Sequence, residues 1–171
     1  LDRSVASGKA ASRAALVAAA LERGQALTAP ATAHGVAAGC YVWRHVNGWT
    51  TDHRRELPEV ERLARRAADT GKNDAVALAF AGIVLARIIG DLKGGIALID
   101  RALVLNSNLA EAWYWGGWVR NFLGAPEPAL DRFARAMRLS PLDPWVAPMR
   151  AGTAHAHFFL GRYAEAASWV A

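Results

Sequence analysis

The sequence contains a single cysteine, Cys40, so neither an internal disulfide nor a cysteine-pair metal site can form. A reducing compartment is compatible with this composition, and we expect a cytoplasmic protein. Aromatic residues make up only 9% of the chain, although 53% of it is hydrophobic. Because alanine supplies much of the apolar fraction, close-packed helices are favoured over sheets. The composition predicts an all-α fold.

The chain also lacks a long apolar run. Its least charged stretch, residues 24–43, contains Gln25, Thr28 and His34 and makes a poor membrane span. No stretch has the charged, apolar and small-residue regions of a signal peptide. We therefore expect no association with a membrane. Because the sequence has no initiator methionine and stops at Ala171 within a helical pattern, we also expect it to be a piece of a longer protein.

No group of residues has the pattern of a catalytic or metal site. His155 and His157 form a His-x-His pair, but on a helix they point in different directions, and no nearby ligand completes a metal set. The Gly-Gly pairs at 94–95 and 116–117 are not phosphate loops, since no GxxxxGK pattern follows a strand. We predict a protein that is not an enzyme and that binds neither a metal nor a cofactor.

What the sequence does contain is an internal repeat. Residues 110–143 read as two short helices with a turn at Gly124, and the pattern recurs when it is shifted back by 34 residues. The matched positions are Phe80 with Tyr114, Gly82 with Gly116, Gly90 with Gly124, Ile99 with Phe133, Ala102 with Ala136 and Leu105 with Leu139. A period of about 34 residues signals a helical repeat array.

Residues 110–143 resemble a tetratricopeptide (TPR) repeat. The resemblance is carried, in the family's order and spacing, by Trp113, Gly117, Gly124, Ala129, Phe133, Ala136 and Pro141. It implies antiparallel helix-hairpin repeats in a right-handed TPR-like superhelix that serves as a scaffold for protein interaction. Further stretches at 48–49, 63–67 and 140–144 resemble TPR regions that follow nucleotide-cyclase or winged-helix modules in bacterial proteins. This narrower resemblance implies a regulatory part of a larger signalling protein.

The predicted array covers residues 12–171, after a poorly ordered start at residues 1–11. It divides into a partial repeat at 12–29, a divergent repeat at 30–75, a repeat at 76–109, the best-matching repeat at 110–143 and a truncated repeat at 144–171. In the divergent repeat, a loop from Asn47 onwards is longer than a TPR turn needs, and the second helix is predicted to begin at Leu57. In the best-matching repeat, Gly117 and Ala129 are expected to face each other, as Gly82 and Gly95 are one repeat earlier.

The resemblance implies that the first helices of the hairpins line a concave groove. The residues placed there are Phe80, Val84, Arg87, Tyr114, Trp118, Asn121, Phe122, His155, Phe158 and Phe159, with Trp43 and Arg44 extending the row. Such an aromatic groove suits an extended or helical peptide. The same stripe is equally expected of a packed core, so both interpretations stand. TPR proteins that grip C-terminal carboxylates use Lys and Asn where this chain has Tyr114 and Trp118, so that kind of clamp is not expected.

A net charge of +5 and a pI near 10.0 suit an acidic partner, nucleic acid included. The predicted basic patch on the convex face consists of Arg101, Arg132, Arg135 and Arg138. A solvated surface without a ligand is the alternative, because basic residues here are mostly interleaved with Glu and Asp. A further alternative is self-association as a homo-oligomer, through terminal repeats that lack a polar cap. The favoured partner is a protein segment, or another domain of the same polypeptide.

Overall fold

The computed structural model describes residues 30–50, 52–142 and 145–171, and no strand occurs within these ranges. The predictions for residues 1–11 and 12–29 lie outside them. The α-helices are α1 (Pro30–Val46), α2 (His53–Thr70), α3 (Ala75–Val84), α4 (Leu92–Leu105), α5 (Ala110–Phe122), α6 (Pro126–Leu139), α7 (Val146–Phe159) and α8 (Tyr163–Ser168), and a π-helical turn at Leu85–Ile89 extends α3. The predicted all-α fold is confirmed.

The helices form successive hairpins, α1 with α2, α3 with α4, α5 with α6 and α7 with α8. Each first helix also contacts the first helix of the next hairpin. The second helices of the described residues contact one another less, although the ion pair between Asp100 and Arg132 joins α4 to α6. The first helices therefore form an inner, concave layer, and the second helices form an outer, convex layer. None of the described helices is both long and apolar enough to cross a membrane.

Helix ends follow local capping signals. The side chains of Asp74 and Asp91 accept hydrogen bonds from backbone N–H groups in the first turns of α3 and α4, as N-cap residues do. Gly90 and Gly124 have positive φ angles of 88° and 72°. Because L residues with a side chain are strained in this region, glycine favours the reversal of the chain from each first helix into the second.

One predicted boundary is wrong, because α2 begins at His53 rather than at Leu57. The Asp52 carboxylate accepts a hydrogen bond of 3.1 Å from the Arg55 backbone N–H and so starts the helix before the proline. Pro58 consequently lies inside α2, where its nitrogen cannot donate to the preceding turn. The loop between α1 and α2 is correspondingly shorter than predicted.

The two layers approach most closely at glycines. A Cβ atom on Gly82 would lie 2.6 Å from the carbonyl oxygen of Gly95, so α3 and α4 can pack this closely only without that atom. The predicted pairing of Gly82 with Gly95 is confirmed. In the next hairpin, Gly117 has the ring of Phe133 as its nearest neighbour, rather than Ala129 as predicted, because the large ring reaches between the helices.

Phe133 is the largest fully buried side chain of the described residues. Its ring lies against Gly117 of α5 and against Gly152 of α7, so it fills the space between two successive hairpins. Trp113 is half-buried, and its indole N–H donates a hydrogen bond of 2.8 Å to the Ser107 carbonyl oxygen. The Phe133 ring therefore joins successive hairpins, whereas the Trp113 indole covers the turn before α5.

Candidate interaction surface

A row of aromatic side chains runs along the C-terminal halves of α5 and α7. Its members are Trp118, Phe122, His155, Phe158 and Phe159, which we call the aromatic strip. The Trp118 ring lies 5.8 Å from Phe122 and 5.7 Å from His155, and His155 lies 4.6 Å from Phe159, all between ring centroids. Residues four apart lie on one face of a helix, so Trp118 and Phe122 share a face of α5, and His155 and Phe159 share a face of α7. The contact between Trp118 and His155 joins these two faces into one strip.

Much of the aromatic strip is accessible. Phe158 is 56% exposed, Phe159 is 55% exposed and Phe122 is 36% exposed. Trp118 and His155 are half-buried beneath them. Trp118 also meets Phe133 edge-on at 5.8 Å, so the strip rests directly on the core. A contiguous exposed apolar surface of this kind is typical of an interaction site.

Arg87 lies at the α3 side of the strip. Its guanidinium carbon is 5.2 Å from the centroid of the Phe122 ring, which is cation–π distance. The residue is half-buried, and its Nε atom is buried without a hydrogen-bond partner among the described residues. Burial lowers the pKa of Arg87, an effect that nearby Tyr114 opposes. The guanidinium remains protonated in a protein at ordinary pH.

His155 is held among aromatic rings rather than among metal ligands. Burial lowers its pKa, so the ring is favoured in the neutral form. Its Nδ1 atom, like that of His157, is buried and has no hydrogen-bond partner in the described structure. Nowhere in the described ranges do three or more His, Cys, Asp or Glu residues form a group that could hold a metal ion.

Three predicted groove residues lie in the core, and their assignment to the surface is wrong. Val84 is 0% exposed, Asn121 is 3% exposed and Tyr114 is 5% exposed. The Asn121 side-chain amide donates a hydrogen bond of 3.0 Å to the Gly152 carbonyl oxygen and joins α5 to α7. Burial raises the pKa of Tyr114 to about 12. Asn121 and Tyr114 lie against residues of the next hairpin, and Val84 belongs to the same continuous core.

Phe80 also differs from its predicted role. It is half-buried, and a Cβ atom on Gly39 would lie 2.7 Å from its Cε1 atom. The ring therefore packs across the contact between α1 and α3, away from the aromatic strip. The neighbouring Arg44 forms an ion pair of 2.5 Å with Glu56 of α2, so this predicted extension of the row is also engaged within the protein.

A second aromatic cluster was not predicted from the sequence. Trp43 of α1 lies 3.8 Å from Trp145, at the start of α7, and 5.6 Å from Trp115 of α5, between ring centroids. Tyr114 completes the group at 6.4 Å from Trp145. We call these four residues the tryptophan cluster. The tryptophan cluster brings together residues of the first, third and fourth described hairpins. The abundance of tryptophan is the one feature of the sequence that could have indicated it.

One of the four arginines of the predicted basic patch is not exposed. The Arg132 side chain is only 13% exposed and pairs with Asp100 at 2.5 Å, while Asp100 also pairs with Arg120 at 3.1 Å. Arg132 is therefore largely buried in an ion pair, and its assignment to an exposed patch is wrong. Arg101 and Arg138 are exposed and Arg135 is half-buried. Within the described residues, none of these three forms an ion pair.

No protein-family model matches the sequence, and no curated protein matches it. Solved structures do. A crystal structure of MamA matches with a TM-score of 0.60 at 16% identity, over 82% of this chain and 69% of that chain. The crystal structure of YrrB, described as "a TPR protein with an unusual peptide-binding site", matches with a TM-score of 0.59 at 21% identity, over 96% of this chain and 76% of that chain. The fold is the TPR-like superhelix that the repeat predicts.

Proposed function

We propose that this chain is a non-enzymatic interaction scaffold that binds a peptide segment, or a neighbouring domain of its own polypeptide, on the aromatic strip. The observation that carries the proposal is the exposure of Phe122, Phe158 and Phe159 along one row of aromatic side chains on α5 and α7. Aromatic side chains bury on the order of 150 to 250 Å² each and are enriched among the residues that dominate binding energy.

The surface beside the strip suits side chains of a peptide. An open apolar groove of about 460 Å³ lies between α7 and α8. His155 and Phe158 form one wall, and Tyr163, Ala166 and Val170 form the other. Because this groove is open along its length, it favours an extended or helical segment over an enclosed small molecule.

The similarity to YrrB supports the proposal, since that protein is described as having a peptide-binding site. The proposal includes the expected setting, which is a regulatory region of a bacterial cytoplasmic signalling protein. No catalytic step is part of it.

The test is binding of peptides selected from a random library, measured by fluorescence anisotropy. We expect Phe122→Ala and Phe158→Ala each to weaken binding about tenfold or more, since both remove exposed aromatic anchors. The control is Val104→Ala, because Val104 is 85% exposed on the outer helix α4. If the two strip variants bind as tightly as the control, the strip is not the binding site.

A second candidate function is binding of nucleic acid, or of an acidic partner, through the convex face. It is favoured by Arg101, Arg135 and Arg138, which lack ion pairs within the described residues. Binding of this kind weakens steeply as salt increases. Replacing all three arginines by glutamine should abolish it, and an absence of DNA or RNA binding even at low salt would exclude nucleic acid as the partner.

A third candidate is self-association through the α7/α8 end. Tyr163 and Val170 are each 65% exposed on the groove described above. A homo-oligomer would bury these two side chains. On dilution, the oligomer of the Val170→Asp variant should therefore dissociate more readily than that of the wild-type chain. Sedimentation at several concentrations distinguishes this candidate from a monomeric scaffold.

A further inference from the structure

We infer that Arg87 recognises a carboxylate group, so that the segment bound on the aromatic strip carries an acidic group beside the apolar residues that cover Phe122. This inference rests on the proposed function. It adds the chemistry of the partner, because it assigns to one residue of the surface the task of selecting acidic peptides.

The first observation is that Arg87 is half-buried without a counter-ion. No ion pair engages its guanidinium within the described residues, and its Nε atom is buried without a hydrogen-bond partner there. Arg120 and Arg132 are also half-buried, yet both pair with Asp100. Partial removal of a cation from water is unfavourable unless it is paired. A ligand carboxylate would supply the missing partner.

The second observation is the position of the charge. The guanidinium carbon lies 5.2 Å from the ring centroid of Phe122, which belongs to the aromatic strip. A segment whose apolar side chains cover Phe122 therefore passes Arg87. The arginine lies in the π-helical turn Leu85–Ile89, an irregularity that occurs frequently at functional sites.

The environment favours a carboxylate over a phosphate. The guanidinium presents a planar fork of donors that matches the two oxygens of a carboxylate. A phosphoryl group carries a charge of about −1.5 to −2 and would need a second cation. The pKa of Arg87 responds to burial and to Tyr114, and no described Lys, Arg or His contributes to it.

The experiment compares peptide selection by the wild-type chain, by Arg87→Gln and by Arg66→Gln. Arg66 is exposed on the outer helix α2 and belongs to neither proposed binding surface, so its variant is a control that has the same change in net charge. The peptides of one random library have amidated C termini, and those of a second library have free C termini. A third contains phosphoserine in place of Asp and Glu. Circular dichroism checks that each variant is folded. If Arg87→Gln is not folded, Arg87→Lys takes its place, because lysine keeps the charge but lacks the planar fork of donors.

We expect Asp and Glu to be enriched about tenfold in the peptides selected by the wild-type chain and by Arg66→Gln, relative to those selected by Arg87→Gln. Apolar residues should be enriched equally in all three. Enrichment in the amide library identifies a side-chain carboxylate, and enrichment only with free C termini identifies the peptide terminus.

Equal acidic enrichment with Arg87→Gln, or none with any chain, would overturn the inference while the apolar enrichment still supports the proposed function. Preference for phosphoserine over Asp and Glu would overturn the choice of carboxylate. Failure of every chain to select apolar peptides would overturn the proposed function together with the inference.

Discussion

The ring of Phe133 lies directly against the backbone of Gly152. These residues come from successive hairpins, and a Cβ atom on Gly152 would overlap the ring. The same glycine accepts a hydrogen bond of 3.0 Å from the side chain of Asn121 through its carbonyl oxygen. The contact between α5, α6 and α7 therefore depends on one position without a side chain. It also fixes the distance between the two helices that carry the aromatic strip.

The first prediction concerns this glycine. Gly152→Ala should lower the free energy of unfolding by about 1 to 3 kcal/mol, the usual cost of overpacking a core. The gain of about 1 kcal/mol from replacing glycine in a helix is smaller than this loss. The ring has little room to move, because it also lies against Gly117 of α5. Urea denaturation of the wild-type chain and the variant measures the difference.

The control for Gly152→Ala is the double variant with Phe133→Leu, in which a smaller side chain makes room for the new methyl group. Phe133→Leu should be less damaging in the alanine background than in the wild-type chain. A Gly152→Ala variant as stable as the wild type would contradict the close contact.

The second prediction separates the core from the surface within the aromatic strip. Trp118→Ala should cost about 3 to 5 kcal/mol of stability, because the indole packs on Phe133. Phe158→Ala should change stability by no more than about 0.5 kcal/mol, since the side chain is 56% exposed. Thermal and urea melts measure both. A large loss of stability in Phe158→Ala would mean that its ring supports the fold and is not a free anchor.

The third prediction concerns pH. The pKa of Tyr114 rises from 10.0 to about 12 on folding, because burial disfavours the phenolate. The folded state therefore holds this proton more tightly, so the stabilisation is complete below pH 10 and is lost as the pH rises towards 12. At about 1.4 kcal/mol per unit, the loss amounts to about 2 to 3 kcal/mol.

The matched variant is Tyr114→Phe, which has no phenol to ionise. Between pH 9 and 12, the free energy of unfolding of the wild-type chain should fall more steeply than that of the variant. Parallel curves for the two proteins would mean that Tyr114 ionises freely in the folded state.

The fourth prediction concerns Asp100, which pairs with both Arg120 and Arg132. Asp100→Asn should lower the free energy of unfolding by about 1 to 2 kcal/mol, since the Arg132 side chain is left poorly exposed and without its partner. Because the Asp100 side chain is 40% exposed, solvent screening limits the loss. The difference should shrink in high salt. Asp100→Asn combined with Arg132→Met should recover stability, and no recovery would argue against the pair.

The repeat pattern predicted much of the fold because its residues lie where the two helices of one hairpin contact each other. Gly82 and Gly95 are close together in sequence, and their small size is sufficient to predict the close approach of α3 and α4. The turns at Gly90 and Gly124 are local in the same sense, since glycine alone readily adopts the required φ. The earlier start of α2 was missed because a cap at Asp52 outweighs the preference of Pro58 for the first turn.

Contacts between hairpins were harder to predict. Val84, Tyr114 and Asn121 have the spacing of groove residues, yet each is buried in the core that successive hairpins share. How far one hairpin covers the next depends on the angle between hairpins, and a repeat period of about 34 residues does not specify this angle. Arg132 was misplaced for a related reason, since its partner Asp100 comes from the preceding hairpin.

The contact between Trp43 and Trp145 has a consequence for how the chain folds. In a linear array of repeats that touch only their neighbours, ends can fray independently and folding can begin anywhere. A contact between the first and last described hairpins forms only after the intervening repeats are in place, which raises the contact order and slows folding. The array should therefore lose its structure in one cooperative transition, without partly folded forms that keep only some of the repeats.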